Sequence, residues 1–152
     1  MSDRSIVQER LLPAPPDEVF AAWSDPDSLR QWMCPAEGMA PASVEVDFRV
    51  GGRFRIVMHG DRDYAQHGEY LEIDPPKRIV FRWVSEWVPT GEAETRVSVS
   101  LEPGADGGTR LVLVHDRLHG TDTYQGHPAG WRRILALLED ALRSGHPQGG
   151  TR

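Results

Sequence analysis

The side chains best equipped for chemistry in this chain are few. His67 and Glu69 stand two apart in "AQHGEYLEI" (65–73), an imidazole and a carboxylate of the kind that general acid–base catalysis uses. On a strand, residues two apart share a face. Leu71 and Ile73 have the same parity, so His67 and Glu69 are expected to point inward with them; the alternative is that both are solvated near the exposed end of the strand. His115 shares its parity with Leu111 and Leu113 in "TRLVLVH" (109–115) and is expected to point inward too. His115 and His119 in "HDRLH" are four apart, the spacing with which a helix offers two imidazoles to zinc. Here, however, His115 ends a strand and "DRLHGTD" reads as a loop. No cysteine pair or acidic third ligand is suitably spaced, so no metal is expected.

Cys34 is the single cysteine, which excludes an internal disulfide. Nothing around it in the sequence favours the thiolate that a nucleophile needs, so it reads as a small hydrophobe. Gly51-Gly52 lacks the following helix N-terminus of a phosphate-binding loop and reads as a hairpin turn. No nucleophile–base pair has diagnostic spacing. No residue is therefore assigned a catalytic role, and no cofactor is expected.

The elements that must position these residues follow from periodicity. "SIVQERLL" (5–12) is a first strand. "PPDEVFAAWS" (15–24) opens with prolines and acids, as helix N-termini do, and places Val19, Phe20 and Trp23 at helical spacing. "DPDSLRQWM" (25–33) starts a second short helix, with Leu29, Trp32 and Met33 on one side and Pro35 stopping it. Strands are expected at 42–50 (Val44, Val46, Phe48 and Val50 alternating), 53–59, 65–73, 78–84, 94–102 and 109–115, separated by turn residues. "WRRILALLEDALR" carries Trp131, Ile134, Leu135, Leu138 and Leu142 as one apolar stripe. Pro128 fits its first turn and Gly145 its end.

Length and charge narrow the function classes. The 152 residues suit a single domain, 1–143, with a polar, glycine-rich tail at 144–152. A net charge of -6 argues against nucleic-acid binding, which concentrates Lys and Arg. No apolar run approaches the roughly 20 residues that cross a bilayer. The charged N-terminus lacks a signal peptide's apolar stretch, so a cytoplasmic location is expected.

The order of elements, with "VFAAWSDPDSLRQWMCP" (19–35), "GGRFRIVMHG" (51–60), "GEYLEIDPPKRIVFRW" (68–83) and "GHPAGWRRILALLEDAL" (126–142), resembles the activator-of-Hsp90-ATPase-homologue-1-like (AHSA1-like) branch of the START-like, or SRPBCC helix-grip, superfamily. The resemblance spans residues 5–143. It implies an α+β, Bet v 1-like fold in which a curved antiparallel sheet of seven strands grips a long C-terminal helix, with two short helices after the first strand. Where the family usually writes Trp-Trp-Gly-Pro, this chain has Trp32-Met33-Cys34-Pro35.

Such a sheet with one long helix leaves a cavity, and the short helices lie at its end. The expected ligand-binding set is Trp32, Met33 and Cys34 at the rim; Phe54, Ile56, Met58, His67, Glu69, Trp83 and His115 on the inner face; and His127 and Trp131 at the last helix. Trp32, Trp83 and Trp131 are expected to surround one space. The leading expectation is a binding protein for a small hydrophobic or aromatic molecule, with a cyclase- or hydrolase-like enzyme as the second reading. A third is an interaction module acting through a sheet edge or through Val57, Tyr70, Val80 and Val84 on the outer face. A homodimer is compatible with the sequence. Membrane insertion and an Hsp90-type chaperone partner are not expected, the latter because the N-terminal domain of the eukaryotic activator has no counterpart here.

Overall fold

The structure is a computed structural model and describes residues 4–33, 40–60, 62–86, 94–118 and 128–143. In chain order the elements are β1 (Arg4–Leu12), α1 (Pro16–Ser24), α2 (Pro26–Trp32), β2 (Ala40–Val46), β3 (Arg53–His59), β4 (Asp63–Asp74), β5 (Arg78–Ser85), β6 (Glu94–Pro103), β7 (Thr109–Leu118) and α3 (Pro128–Arg143). The strands form one 7-stranded sheet, ordered β1-β7-β6-β5-β4-β3-β2, in which every neighbouring pair is antiparallel. This is the expected α+β helix-grip arrangement.

Local chemistry explains the short helices. Pro16 at the start of α1 fixes a helical φ, and Asp17 and Glu18 complement the positive end of the helix dipole. Asp25 separates the two helices, and its side chain accepts the Asp27 N–H at 3.0 Å, capping α2. Both helices bury their apolar sides: Val19, Phe20 and Trp23 from α1, Leu29 and Trp32 from α2. In α3 the residues Trp131, Ile134, Leu135, Leu138 and Leu142 are all buried, as their spacing requires. Glu139, on the flank of α3, accepts from Arg10 of β1 at 2.7 Å and Arg143 at 2.6 Å, which ties the helix to the sheet edge. Those two guanidinium groups hold the Glu139 carboxyl below the usual carboxylate range.

Besides continuing β7 past His115 to Leu118, where a loop is expected, the structure corrects the sequence reading in two places. β2 ends at Val46, so Phe48 and Val50 do not continue the strand. The Asp47 N–H meets the Arg53 carbonyl at 2.9 Å and the chain turns through Gly51, whose φ of 86° suits glycine. Phe48 still packs edge-on against Phe20 and Tyr70, whereas Val50 is exposed.

The second correction is in β4. Cross-strand pairing with β5 runs Tyr70↔Phe81 and then Glu72↔Val80, so one residue of β4 is extra at this point. This β-bulge reverses the alternation along β4. Ile73 therefore shares the inner side with Gln66, Gly68 and Tyr70, opposite Ile79 and Phe81, while His67 and Glu69 face outward. Tyr70, expected on the outer face, is buried at 4 % exposure. Among the described residues, no helix is long and apolar enough to cross a membrane.

Candidate functional site

The inner face of β3, β4 and β5 carries a dense aromatic cluster. Phe54 and Phe81 meet edge-to-face with ring centroids 5.4 Å apart; Tyr70 lies 5.4 Å from Phe54 and 6.1 Å from Phe81. Trp83 continues the series at 6.1 Å from Phe81. The Phe54 ring fits only because residue 68, its cross-strand neighbour, is glycine: a Cβ there would stand 2.6 Å from the ring.

Against this cluster sits an apolar cavity of about 20 Å³. Its sheet side is formed by Phe54, Ile56, Tyr70, Ile79, Phe81 and Trp83; its helix side by Trp23 of α1 and by Leu29 and Met33 of α2 and its end. No carboxylate, guanidinium or imidazole is among these side chains. The one titratable group is the Tyr70 phenol, whose pKa is raised by burial and then by the nearby Asp47 carboxylate.

Of the expected set, Met33, Phe54, Ile56 and Trp83 line this cavity. Trp32, Met58 and Trp131 are buried core residues that do not line it. The Trp32 indole N–H donates to Ser28 Oγ at 3.1 Å, and its ring packs edge-on to Trp23 at 4.8 Å. Trp131 packs at 5.6 Å from Trp83, so two of the three indoles expected to meet do so, while Trp32 reaches the cluster through Trp23. Cys34 and His127 lie outside the described residues.

His115 does face inward and is fully buried, but its nitrogens are occupied. The Trp131 indole N–H donates to its Nδ1 at 2.9 Å, and its Nε2 pairs with Thr95 Oγ1 at 2.7 Å. Burial lowers its pKa to about 3, so the ring is neutral.

His67 and Glu69 do not belong to the interior. His67 pairs through Nδ1 with Glu86 at 2.8 Å, and Arg55 donates two N–H groups to the same Glu86 carboxylate, each at 3.0 Å. This pairing, led by the Arg55 hydrogen bond, lowers the Glu86 pKa to about 2. Glu69 accepts from Arg82 at 2.8 Å. His67 instead lines an open, charged concavity of about 370 Å³ with Glu45, Asp47, Arg53 and Arg55. No group of three or more metal-ligating side chains occurs among the described residues.

Sequence reasoning did not place Trp23, Leu29 or Tyr70 in the cavity wall. Ile79 and Phe81 were legible, since both share the parity of Trp83. Tyr70 was concealed by the bulge. Among the described residues, two of the buried polar atoms without a hydrogen-bond partner belong to a lining residue or its cross-strand neighbour: Trp23 Nε1 and Gln66 Oε1.

Comparison with known proteins agrees with this architecture. Residues 13–143 match the family described as activator of Hsp90 ATPase homolog 1-like protein. Among solved structures, the AHSA1 protein of Silicibacter pomeroyi is 29% identical with a TM-score of 0.78, covering 94% of this chain and 100% of that one. Protein CV1439 of Chromobacterium violaceum is 27% identical with a TM-score of 0.78, covering 90% and 96%. CalU16 of Micromonospora echinospora is 29% identical with a TM-score of 0.66, covering 90% and 74%. A search of curated proteins found no match.

Proposed function

The chain belongs to the activator of Hsp90 ATPase homolog 1-like family, and from that premise we propose that it binds a small apolar or aromatic molecule between the sheet and α2. The observation that carries this reading is the cavity wall. It is built from five aromatic rings and four aliphatic or thioether side chains, with no ionised group. Apolar cavities of this kind stay dry and favour apolar occupants. Binding sites for small molecules are mostly apolar concavities with few polar groups.

The cavity's size sets a condition. A space of about 20 Å³ admits roughly one water-sized body, whereas ligand pockets run to about 300–1,000 Å³. A ring-sized ligand therefore enters only as α2 moves off the sheet. The helix suits that role. It has seven residues, too few to be stable without tertiary packing. Its two cavity contacts are Leu29 and the unbranched, adaptable Met33.

The enzyme reading has less support. His67 and Glu69 lie on the outer face, and both nitrogens of His115 are engaged. The family name does not by itself carry a chaperone role, since one fold hosts many functions.

The test is titration with a panel of small aromatic and apolar compounds, read by tryptophan fluorescence, since Trp23 and Trp83 line the cavity. A saturable change is expected. Trp83→Leu should weaken binding about tenfold or more, the equivalent of roughly 1.4 kcal/mol of lost contact. Absence of any saturable signal across the panel overturns the proposal.

A further inference from the structure

The three described indoles other than that of Trp83 differ in how their N–H groups are satisfied. Trp32 donates to Ser28 Oγ at 3.1 Å and Trp131 to His115 Nδ1 at 2.9 Å. Trp23 has no acceptor among the described residues: it is 3 % exposed and its Nε1 is buried without a partner there. Its aromatic neighbours are Trp32, edge-on at 4.8 Å, and Phe81 at 6.5 Å, which offer at most a π face, a weaker acceptor than oxygen. A buried donor left unpaired costs stability, and phenylalanine would fill an apolar core position without that cost. Trp23 is also one of the residues that line the cavity.

We infer that Trp23 Nε1–H is the hydrogen-bond donor for the ligand, and that the ligand is a neutral apolar or aromatic molecule carrying a carbonyl-type oxygen acceptor. This rests on the reading that the cavity takes a small apolar molecule and specifies its chemistry. Neutrality follows from the wall. An anion buried there meets no cation among the lining residues, and burying an unpaired charge is far more costly than burying a carbonyl. Of the other buried polar atoms without a partner, Oε1 of Gln66, the cross-strand partner of the lining residue Ile56, is itself an acceptor, and Nε of Arg133 belongs to α3, no residue of which lines the cavity. A cation has no carboxylate to meet in the wall. What remains is an uncharged oxygen that accepts one N–H in apolar surroundings, as in an aryl ketone, aldehyde or ester.

The experiment uses acetophenone and α-methylstyrene, which have nearly the same shape and differ in presenting C=O or C=CH2. Each is titrated into the full-length protein and followed by the indole N–H resonances of its five tryptophans in 1H–15N spectra, with Trp23→Phe identifying the Trp23 signal. Acetophenone is expected to bind about tenfold more tightly than α-methylstyrene, the worth of one buried hydrogen bond. It should also move the Trp23 indole proton downfield, which α-methylstyrene should not do. Trp23→Phe should abolish the ketone preference, with acetophenone binding no more tightly than α-methylstyrene, because a buried carbonyl left without a donor costs binding. Equal affinity of the two compounds in the unaltered protein overturns the inference and leaves the binding reading intact. A ketone preference that survives Trp23→Phe overturns it as well, by assigning the bond to another donor. Binding of neither compound overturns the inference together with the reading on which it rests. If Trp23→Phe does not fold, the affinity ratio and indole shifts of the unaltered protein decide.

Discussion

Trp131 donates its indole N–H to Nδ1 of His115 across 2.9 Å, and this one bond sets the direction of a buried chain. With Nδ1 accepting, a neutral imidazole carries its proton on Nε2. That N–H then donates to Thr95 Oγ1 at 2.7 Å, and the Thr95 hydroxyl donates to the Trp83 carbonyl at 2.8 Å. The chain links α3 to β7, β6 and β5 beside a residue of the cavity wall. Every polar group in it is used, so the burial of His115 is compatible with stability only while the ring is neutral.

This gives a pH dependence. Burial lowers the His115 pKa from 6.5 to about 3 in the fold, while the unfolded chain takes up the proton near the ordinary value. Between those limits the unfolded state binds more protons. The stabilisation is complete above about pH 6.5 and is lost as pH falls toward 3, at up to about 1.4 kcal/mol per pH unit. His115→Gln should be less stable than the parent at pH 7.5. The gap should narrow by about 1–2 kcal/mol at pH 5, because glutamine has no proton to take up. Denaturant unfolding at both pH values checks this; a gap that does not change with pH would show that His115 is not held neutral.

How much was legible in the sequence depended on whether a pattern was local. The stripe from Trp131 to Leu142 reads correctly because helical spacing fixes a face without reference to any neighbour. The strands were found for the same reason. Which side a strand residue faces is different, since alternation transmits one error along the whole strand. Ile73 was rightly placed inside, but the bulge between Tyr70 and Glu72 lies between it and His67. One extra residue moved two polar side chains from the expected interior to the surface and a tyrosine the other way. Nothing in "GEYLEI" marks that insertion; it is visible only in the pairing with β5. Helical spacing puts Trp23 with Val19 and Phe20, but its missing partner is a property of the surrounding space and has no sequence signature.

The outer placement of His67 and Glu69 makes a functional prediction. His67→Ala and Glu69→Ala should leave ligand affinity within about twofold of the parent and cost less than about 1 kcal/mol of stability, as exposed ion pairs do. Binding isotherms of both variants beside Trp83→Leu provide the check. A large loss of affinity in His67→Ala would mean that the ligand occupies the charged concavity lined by His67 and not the cavity beneath α2, and one in Glu69→Ala would place it elsewhere on the outer face.

The grip of the helix is tested at its centre. Leu138 has no exposed surface and lies on the buried stripe of α3. Leu138→Ala should cost about 2–5 kcal/mol, the usual range for a fully buried leucine. Loss of less than about half a kcal/mol on chemical denaturation would show that this face does not carry the core.

Gly68 provides a sharper test of how the aromatic wall is built. A Cβ at this position would lie 1.8 Å from the Arg82 carbonyl oxygen and 2.6 and 2.7 Å from two carbons of the Phe54 ring. The ring can rotate or shift, but the carbonyl belongs to the backbone of the adjacent strand, which would have to separate from β4. Gly68→Ala should therefore destabilise by about 1–3 kcal/mol or more, as overpacking does. It should also displace the Phe54 ring that lines the cavity. Adding Phe54→Leu to Gly68→Ala relieves the contact with the ring but not that with the carbonyl, so the double variant should recover little stability. Denaturant midpoints of the two single variants and the double variant distinguish the contacts. Near-complete rescue by Phe54→Leu would assign the need for glycine to the aromatic ring alone and release the β4–β5 backbone from that role.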